Sequence, residues 1–370
     1  MIKLRVAIQQ RVIPIYRTPF LETLAAHPNL ELAVFAGEAR PQEMITTADT
    51  ILGAKYEKIK NFHFLNGPFY LCYQHNLLTQ VKSFDPQVLI VEANPRYPAT
   101  HAVIHWAEKH QRAVIGWGLG VPRHAGKFAA LRNRQRQNFL NKFNAIIAYS
   151  RQGAAQYSQV GIDPQKIFVA ANATAMRSTS PPPHRTPFSA ERPANLLYVG
   201  RLQPRKKLDS LIQVCAKLPQ NLQPNLWIVG DGSILADLQE LAAALYPKTR
   251  FWGALYGDDL AAIYRQADLF VLPGTGGLAV QQAMSYALPV IVAEGDGTQS
   301  DLLTARNGWS IPKDDPIELY NTILSALQNP PLTQSMGKEA YLTVRDQVNV
   351  EKMVEIFVKA IQSVWKEPSI

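Results

Sequence analysis

Short apolar runs separated by stretches of helical period set the layout of this chain. In the first half the runs fall at residues 3–9 (KLRVAIQ), Leu30 to Ala36, Val88 to Glu92, Ala113 to Trp117, Ala145 to Tyr149 and Ile167 to Ala171. Strands that alternate with helices in this way imply a parallel sheet covered on both faces. The alternation stops between Met176 and Asn195, a stretch with five prolines and no apolar period, which reads as a linker. It restarts at Leu196 to Val199, Leu226 to Val229, Arg250 to Trp252, Leu269 to Leu272 and Pro289 to Ala293. From Leu332 to Trp365 the pattern is helical, with Met353, Val354, Ile356, Phe357, Ile361 and Val364 on one stripe. The expected fold class is α/β, with two Rossmann-like domains facing a cleft. The expected boundaries are 1–175 for the first domain, 176–194 for the linker, 195–345 for the second, and 346–370 for a C-terminal helix that packs back on the first. In such sheets ligands bind beyond the carboxyl ends of the strands.

Composition changes this picture little. Of 370 residues, 47% are hydrophobic and 18% charged, ordinary for a well-cored globular chain. No run of eighteen apolar residues exists, and MIKLRVAIQQ enters a strand pattern at once, so neither a membrane span nor a signal peptide is expected and the expected location is cytoplasmic. Cys72 and Cys215 stand far apart without metal-ligand spacing and read as buried thiols; no metal site is expected. A net charge of +9 favours an acidic partner: nucleic acid, an anionic membrane surface or a phosphorylated small molecule.

Candidate chemistry gathers behind the strand ends of the second half. YVGRLQPRKKL places Gly200, Arg201 and Lys206 just past a strand. A guanidinium and an ammonium there suit a diphosphate, although a solvated basic loop reads the same way. LWIVGDG turns a strand into a helix at Gly230, which alone is architecture, and FWGAL brings Trp252, Gly253 and Leu255 to a loop. PGTGGLAVQQAM then runs from a buried strand through Gly274, Thr275, Gly276 and Gly277 into a helix starting near Leu278, followed by a second glycine turn within EGDGTQSD. Glycines let a backbone approach a ligand closely, and the open N–H groups of a helix start favour an anion. An ordinary strand-to-helix turn would read the same way.

Taken in order, VGRL with a following lysine, IVGDG, a strand-glycine step and a helix of the form GL…AM…PV resemble the GT-B fold retaining glycosyltransferases of group 1, family 4-like. The resemblance covers roughly Ala145 to Gly308 well and the rest of the chain loosely. It implies that Arg201 and Lys206 carry the catalytic electrostatics on the donor's diphosphate. It also implies that Gly276, Gly277 and Leu278 assist through backbone N–H groups, and that Trp252 to Leu255 lie beside the base. The donor is then a nucleotide-sugar, UDP favoured over GDP, with no cofactor. Two glutamates usual in the family are replaced here, the sugar-contacting one by Gly274 and the ribose-contacting one by Gln282.

In the first half, VEANPRYPATH and VIGWGLGVPRH follow strands, so Glu92, Asn94, Arg96, Trp117, Gly118 and His124 are candidates for the acceptor or transferred-sugar side. For Glu92 a loop-capping carboxylate, and for Trp117 core packing, are the competing readings. Where family members often carry a histidine, Leu119 stands, with His124 close by. The first loop shows Arg11, Tyr16 and Arg17 in place of paired glycines. The basic stretch 123–142 interleaves Arg123, His124, Lys127, Arg132, Arg134, Arg136 and Lys142 with Phe128, Leu131, Phe139 and Leu140. It suits a peripheral site on an anionic membrane surface, or a solvated basic face over an apolar stripe packed into the domain; no nucleic-acid motif accompanies it. The expected function is transfer of a sugar to a hydroxyl of a glycan, glycolipid or small molecule, the alternative being a non-catalytic GT-B nucleotide-binding subunit.

Overall fold

The computed structural model describes residues 3–365 apart from Met44, Asn66, Pro68, Phe69, residues 122–128, Ala190 and Asp296. The chain forms two compact units, the first from residues 1–174 and 350–370, the second from 175–349.

The first unit contains β1 (Leu4–Val12), α1 (Thr18–Ala25), β2 (Leu30–Gly37), β3 (Lys55–Lys58), β4 (Asn61–Phe64), β5 (Leu71–Gln74), α2 (Leu77–Phe84), β6 (Val88–Glu92), α3 (Pro98–Lys109), β7 (Ala113–Gly118), α4 (Ala129–Leu140), β8 (Ala145–Ala148), α5 (Arg151–Gln159) and β9 (Ile167–Val169). Seven of these strands form a parallel sheet in the order β3-β2-β1-β6-β7-β8-β9, and β4 and β5 make a separate antiparallel pair. Strand side chains alternate between two cores. Val6, Ile8, Ile90, Ile115, Trp117 and Ile147 join one face, and Ala7, Leu89, Val91, Val114 and Ile146 the other.

The second unit contains β10 (Asn195–Val199), α6 (Leu208–Lys217), β11 (Asn225–Val229), α7 (Leu235–Leu245), β12 (Thr249–Phe251), α8 (Gly257–Gln266), β13 (Leu269–Leu272), α9 (Leu278–Ser285), β14 (Val290–Ala293), β15 (Gly308–Ile311), α10 (Pro316–Gln328) and α11 (Pro330–Asp346). Its sheet, order β12-β11-β10-β13-β14-β15, is parallel throughout, so all strand carboxyl ends share one edge. The last helix, α12 (Val350–Val364), returns to the first unit, where Phe357 meets Phe20 at 4.7 Å and Trp117 at 4.9 Å between ring centroids.

Three expectations need correction. The proline-rich stretch is no free linker, because residues 175–194 belong to the second unit. Arg185 donates to the carbonyls of Tyr264 (2.9 Å), Tyr286 (3.1 Å) and Ala267, and Arg192 forks onto Asp268 at 2.8 and 3.1 Å. The helical C-terminal stretch is two helices, with Asn349 between them donating back to the carbonyls of Val344 (3.0 Å) and Arg345 (2.7 Å). The apolar positions of the basic stretch do not form one stripe either. Phe139 and Leu140 are buried, whereas Leu131 is 55% exposed.

Candidate functional site

The carboxyl edge of the second sheet is built from backbone brought close to backbone. Gly200, Gly230 and Gly253 follow β10, β11 and β12, and the Gly230 N–H donates to the Gly253 carbonyl at 2.7 Å. A Cβ at Gly230, whose φ is +135°, would fall 2.0 Å from the Gly200 carbonyl oxygen, so only glycine fits. Gly232 is equally confined by the backbone of Leu202.

Beside this edge, the turn after β13 closes on the loop that carries the cations. Lys206 is 8% exposed, and its Nζ donates to the Thr275 carbonyl while lying against Gly276. Arg205 donates from Nη1 to Thr275 Oγ1 at 3.0 Å. Gly274 is buried against the backbone of Arg205 and Lys206. Arg201 is exposed, with its carbonyl held by the Tyr198 hydroxyl at 3.1 Å. Leu278 opens α9, and Gln282 is half-buried on that helix. The arrangement puts an ammonium next to a glycine turn at a helix start, which suits phosphate oxygens.

Two residues of the second glycine turn complete this wall, and the sequence reading passed over them individually. Gln299, 3% exposed, donates from Nε2 to the Gly276 carbonyl, and its Oε1 is buried without a hydrogen-bond partner among the described residues. Thr298 stands over Gly277, its Oγ1 2.5 Å from where a Cβ would be. The signal was the glycine turn itself, placed after β14 and hence on the same edge as the turn after β13.

Trp252 lies half-buried at the end of β12, with the Arg250 guanidinium 3.6 Å from its ring centroid and Trp227 edge-on at 5.7 Å. Its Nε1 is buried without a hydrogen-bond partner among the described residues. Leu255 follows on the same loop, half-buried.

The first-unit candidates separate. Glu92 ends β6, accepting from the Arg11 N–H at 2.8 Å and the Tyr97 hydroxyl at 3.4 Å. Burial pushes its carboxyl above the usual carboxylate range, while those two donors and the Arg11 charge pull it back. Asn94 caps its own loop by accepting from the Arg96 N–H at 3.1 Å, and Arg96 is exposed. Trp117 is wholly buried among Phe20, Phe357 and Tyr149, so its ring is a core element and not a surface contact. The Arg17 guanidinium, also buried, lies 4.9 Å from that ring and bonds Asn172. Gly118 leaves room for the Tyr157 hydroxyl. His124 lies outside the described residues.

Residues 184–343 match the family described as "Glycosyl transferases group 1". Over these residues the chain is similar to the group 1 glycosyl transferases. Sulfoquinovosyl transferase SQD2 of Arabidopsis thaliana is 37% identical over 152 residues, covering 39% of this chain and 29% of that protein. A GDP-mannose-dependent alpha-mannosyltransferase of Mycobacterium tuberculosis is 36% identical over 118 residues, covering 31% and 29%. The chain thus spans under a third of the length of these relatives. Among solved structures, Anabaena HepE in complex with UDP superposes with a TM-score of 0.72 at 17% identity, covering 98% of this chain and all of that one. The same protein in complex with UDP-glucose gives 0.69 at 16% identity, covering 97% of this chain and all of that one. The fold is therefore GT-B, with two Rossmann-like domains.

Proposed function

We propose that this chain is a retaining glycosyltransferase that moves a sugar from a nucleotide-diphosphate donor to a hydroxyl acceptor, with UDP favoured over GDP. The observation that carries the reading is the buried Lys206 ammonium, fixed by the Thr275 carbonyl against the glycine turn that opens α9. A cation held in place before the ligand arrives does not have to be ordered during the reaction. Breaking the glycosidic bond places growing negative charge on the leaving diphosphate, and Lys206, Arg201 and the N–H groups of Gly277 and Leu278 would stabilise it. The reading needs no metal and no dedicated carboxylate base, because the acceptor hydroxyl attacks on the face the diphosphate leaves.

UDP is favoured because Anabaena HepE is described with UDP and UDP-glucose, although the mycobacterial relative is named for GDP-mannose. The acceptor is a glycan, glycolipid or small molecule, with Glu92, Asn94 and Arg96 on its side. The expected setting is cytoplasmic and peripheral, with the basic stretch 123–142 toward an anionic membrane surface. No described helix is long and apolar enough to cross a membrane.

Calorimetric titration with UDP tests the site. Lys206→Ala and Arg201→Ala are each expected to weaken binding by about tenfold or more, since a hydrogen bond from a charged group contributes roughly 1.5–3 kcal/mol. Unchanged affinity in both would end the assignment. A second reading, a nucleotide-binding subunit without turnover, is favoured by Gly274, which offers no side chain to a sugar and has no space for one. A panel of UDP-, GDP-, ADP- and TDP-sugars separates the two: binding without transfer or hydrolysis selects the second.

A further inference from the structure

The β4–β5 pair inverts the polarity expected of a surface hairpin. Its inward positions are polar or small. Asn61 donates to the Arg11 carbonyl at 2.8 Å, His63 bonds the Tyr70 hydroxyl at 2.8 Å, Cys72 is wholly buried, and Gln74 bonds Gln9 and the Gln10 carbonyl. Its outward positions are apolar. Phe62 faces Tyr73 and Phe64 faces Leu71 across the ladder, and Leu65 follows; they are 39%, 42%, 52%, 39% and 66% exposed in that order. Directly opposed residues of one face lie within side-chain contact, so the four paired residues form a single patch. A hairpin facing only water would carry polar groups outward.

We infer that this outer face docks on an anionic lipid bilayer, with Phe62, Phe64, Leu65, Leu71 and Tyr73 entering the headgroup boundary. Aromatic and aliphatic side chains at that depth are what a bilayer interface favours. Charge points the same way. Between Ile59 and Phe84 the chain has no Asp or Glu, and Lys60 holds its ammonium 5.1 Å from the Phe62 ring centroid at the rim of the patch. A neighbouring carboxylate would be repelled by anionic lipid, whereas a cation at the rim meets the headgroups. Size argues against a second copy of the chain. Side chains of roughly 150–250 Å² each, exposed to these degrees, present roughly 360–600 Å². A stable dimer needs roughly 800 Å² from each partner.

The inference is independent of the glycosyl-transfer reading, since it is tested without donor. The full chain is sedimented with vesicles of phosphatidylcholine, with and without phosphatidylglycerol. Wild-type protein is expected to pellet with the anionic vesicles. The double variant Phe64→Ser, Leu65→Ser should lower the bound fraction by about tenfold, as loss of two partly buried apolar side chains implies. Should that variant fold poorly, Phe64→Trp supplies a second measurement. The emission of the introduced indole, taken as the difference from wild type, should shift to the blue on adding anionic vesicles. The inference is overturned if wild type stays in the supernatant, if the folded double variant pellets as well as wild type, or if that difference emission does not move. Loss of binding on Arg132→Glu with Arg134→Glu, at unchanged binding of the hairpin variant, assigns the surface to α4 and also overturns it. A dimer in light scattering that the double variant dissociates would give the face to a second copy instead.

Discussion

Gly274 stands where the resemblance to group 1 glycosyltransferases implies a glutamate, and its surroundings make the consequence of a side chain there calculable. A Cβ there would lie 2.2 Å from the Arg205 carbonyl oxygen, 2.6 Å from Lys206 Cα and 2.7 Å from the Lys206 carbonyl carbon. Carbon atoms rest at about 3.5–4.0 Å, so the Arg205–Lys206 backbone would have to retreat by about 1 Å. Backbone yields less readily than a side-chain tip, and overpacking of this kind costs about 1–3 kcal/mol of stability. The same retreat separates the Lys206 ammonium from the Thr275 carbonyl and shifts it away from the glycine turn. If one charge-assisted contact with a phosphate is lost, about 1.5–3 kcal/mol goes with it, or roughly 10- to 100-fold in Kd. Gly274→Ala is therefore expected to lower both thermal stability and UDP affinity, measured by a melting curve and by calorimetry on the same preparation. Gly274→Glu should behave no better, because the obstruction begins at Cβ and the carboxylate is never delivered to a sugar. An alanine variant that melts with wild type and binds UDP within twofold would refute the argument, and with it the view that the turn fixes Lys206.

The remaining expectations concern the frame. Arg185 is half-buried, and that desolvation pushes its guanidinium down to about 10, yet it holds the carbonyls of Tyr264, Ala267 and Tyr286. Arg185→Met should destabilise the second unit by about 3 kcal/mol, after desolvation relief is set against the lost bonds, or roughly 6–12 °C in melting temperature; an unchanged melting curve would show the segment to be loosely attached. For Glu92, a pKa raised by burial means that the folded chain holds this proton more tightly than the unfolded chain does. Its contribution to stability is present below the ordinary value of 4.5 and is lost as pH rises through the folded value. Denaturant titrations from pH 4 to about pH 8 should therefore find Glu92→Gln gaining on wild type as pH rises; a pH-independent difference would contradict the assignment.

The two halves were not equally legible. In the second, the candidate site is made of backbone and cations, so its parts are local features of the sequence: glycines at strand ends and the order Arg201, Lys206, Gly274 to Leu278. Gln299 was less visible, because its partner is the Gly276 carbonyl and a glutamine's hydrogen bond leaves no period in the sequence. In the first half, the meaning of each candidate depends on a residue far along the chain. Glu92 bonds Arg11, Trp117 packs on Phe357, and Arg17 reaches Asn172. No local pattern separates a capping carboxylate from an acceptor contact. The β4–β5 hairpin escaped because its alternation places apolar residues outward, against the usual rule. The proline-rich stretch was misjudged because Arg185 and Arg192, which fasten it, look like ordinary linker charges.

What the glycines of the turn after β13 do becomes clear when they are considered with Lys206. A Cβ at Gly276, where φ is +149°, would fall 2.5 Å from the Lys206 Nζ, and one at Gly274 would strike the backbone that carries this lysine. Two glycines are thus required by one cation, the first by its loop and the second by its ammonium. The absent glutamate then has a physical correlate. On the proposed reading, direct packing of the cation loop on the turn stands here in place of a side chain directed at the ligand, so the phosphate end of the site is reinforced at the point where the sugar end loses a contact. On the same proposed reading, discrimination between sugars comes from residues other than position 274, and Thr298 and Gln299, standing over the same turn from the loop after β14, are candidates for that task.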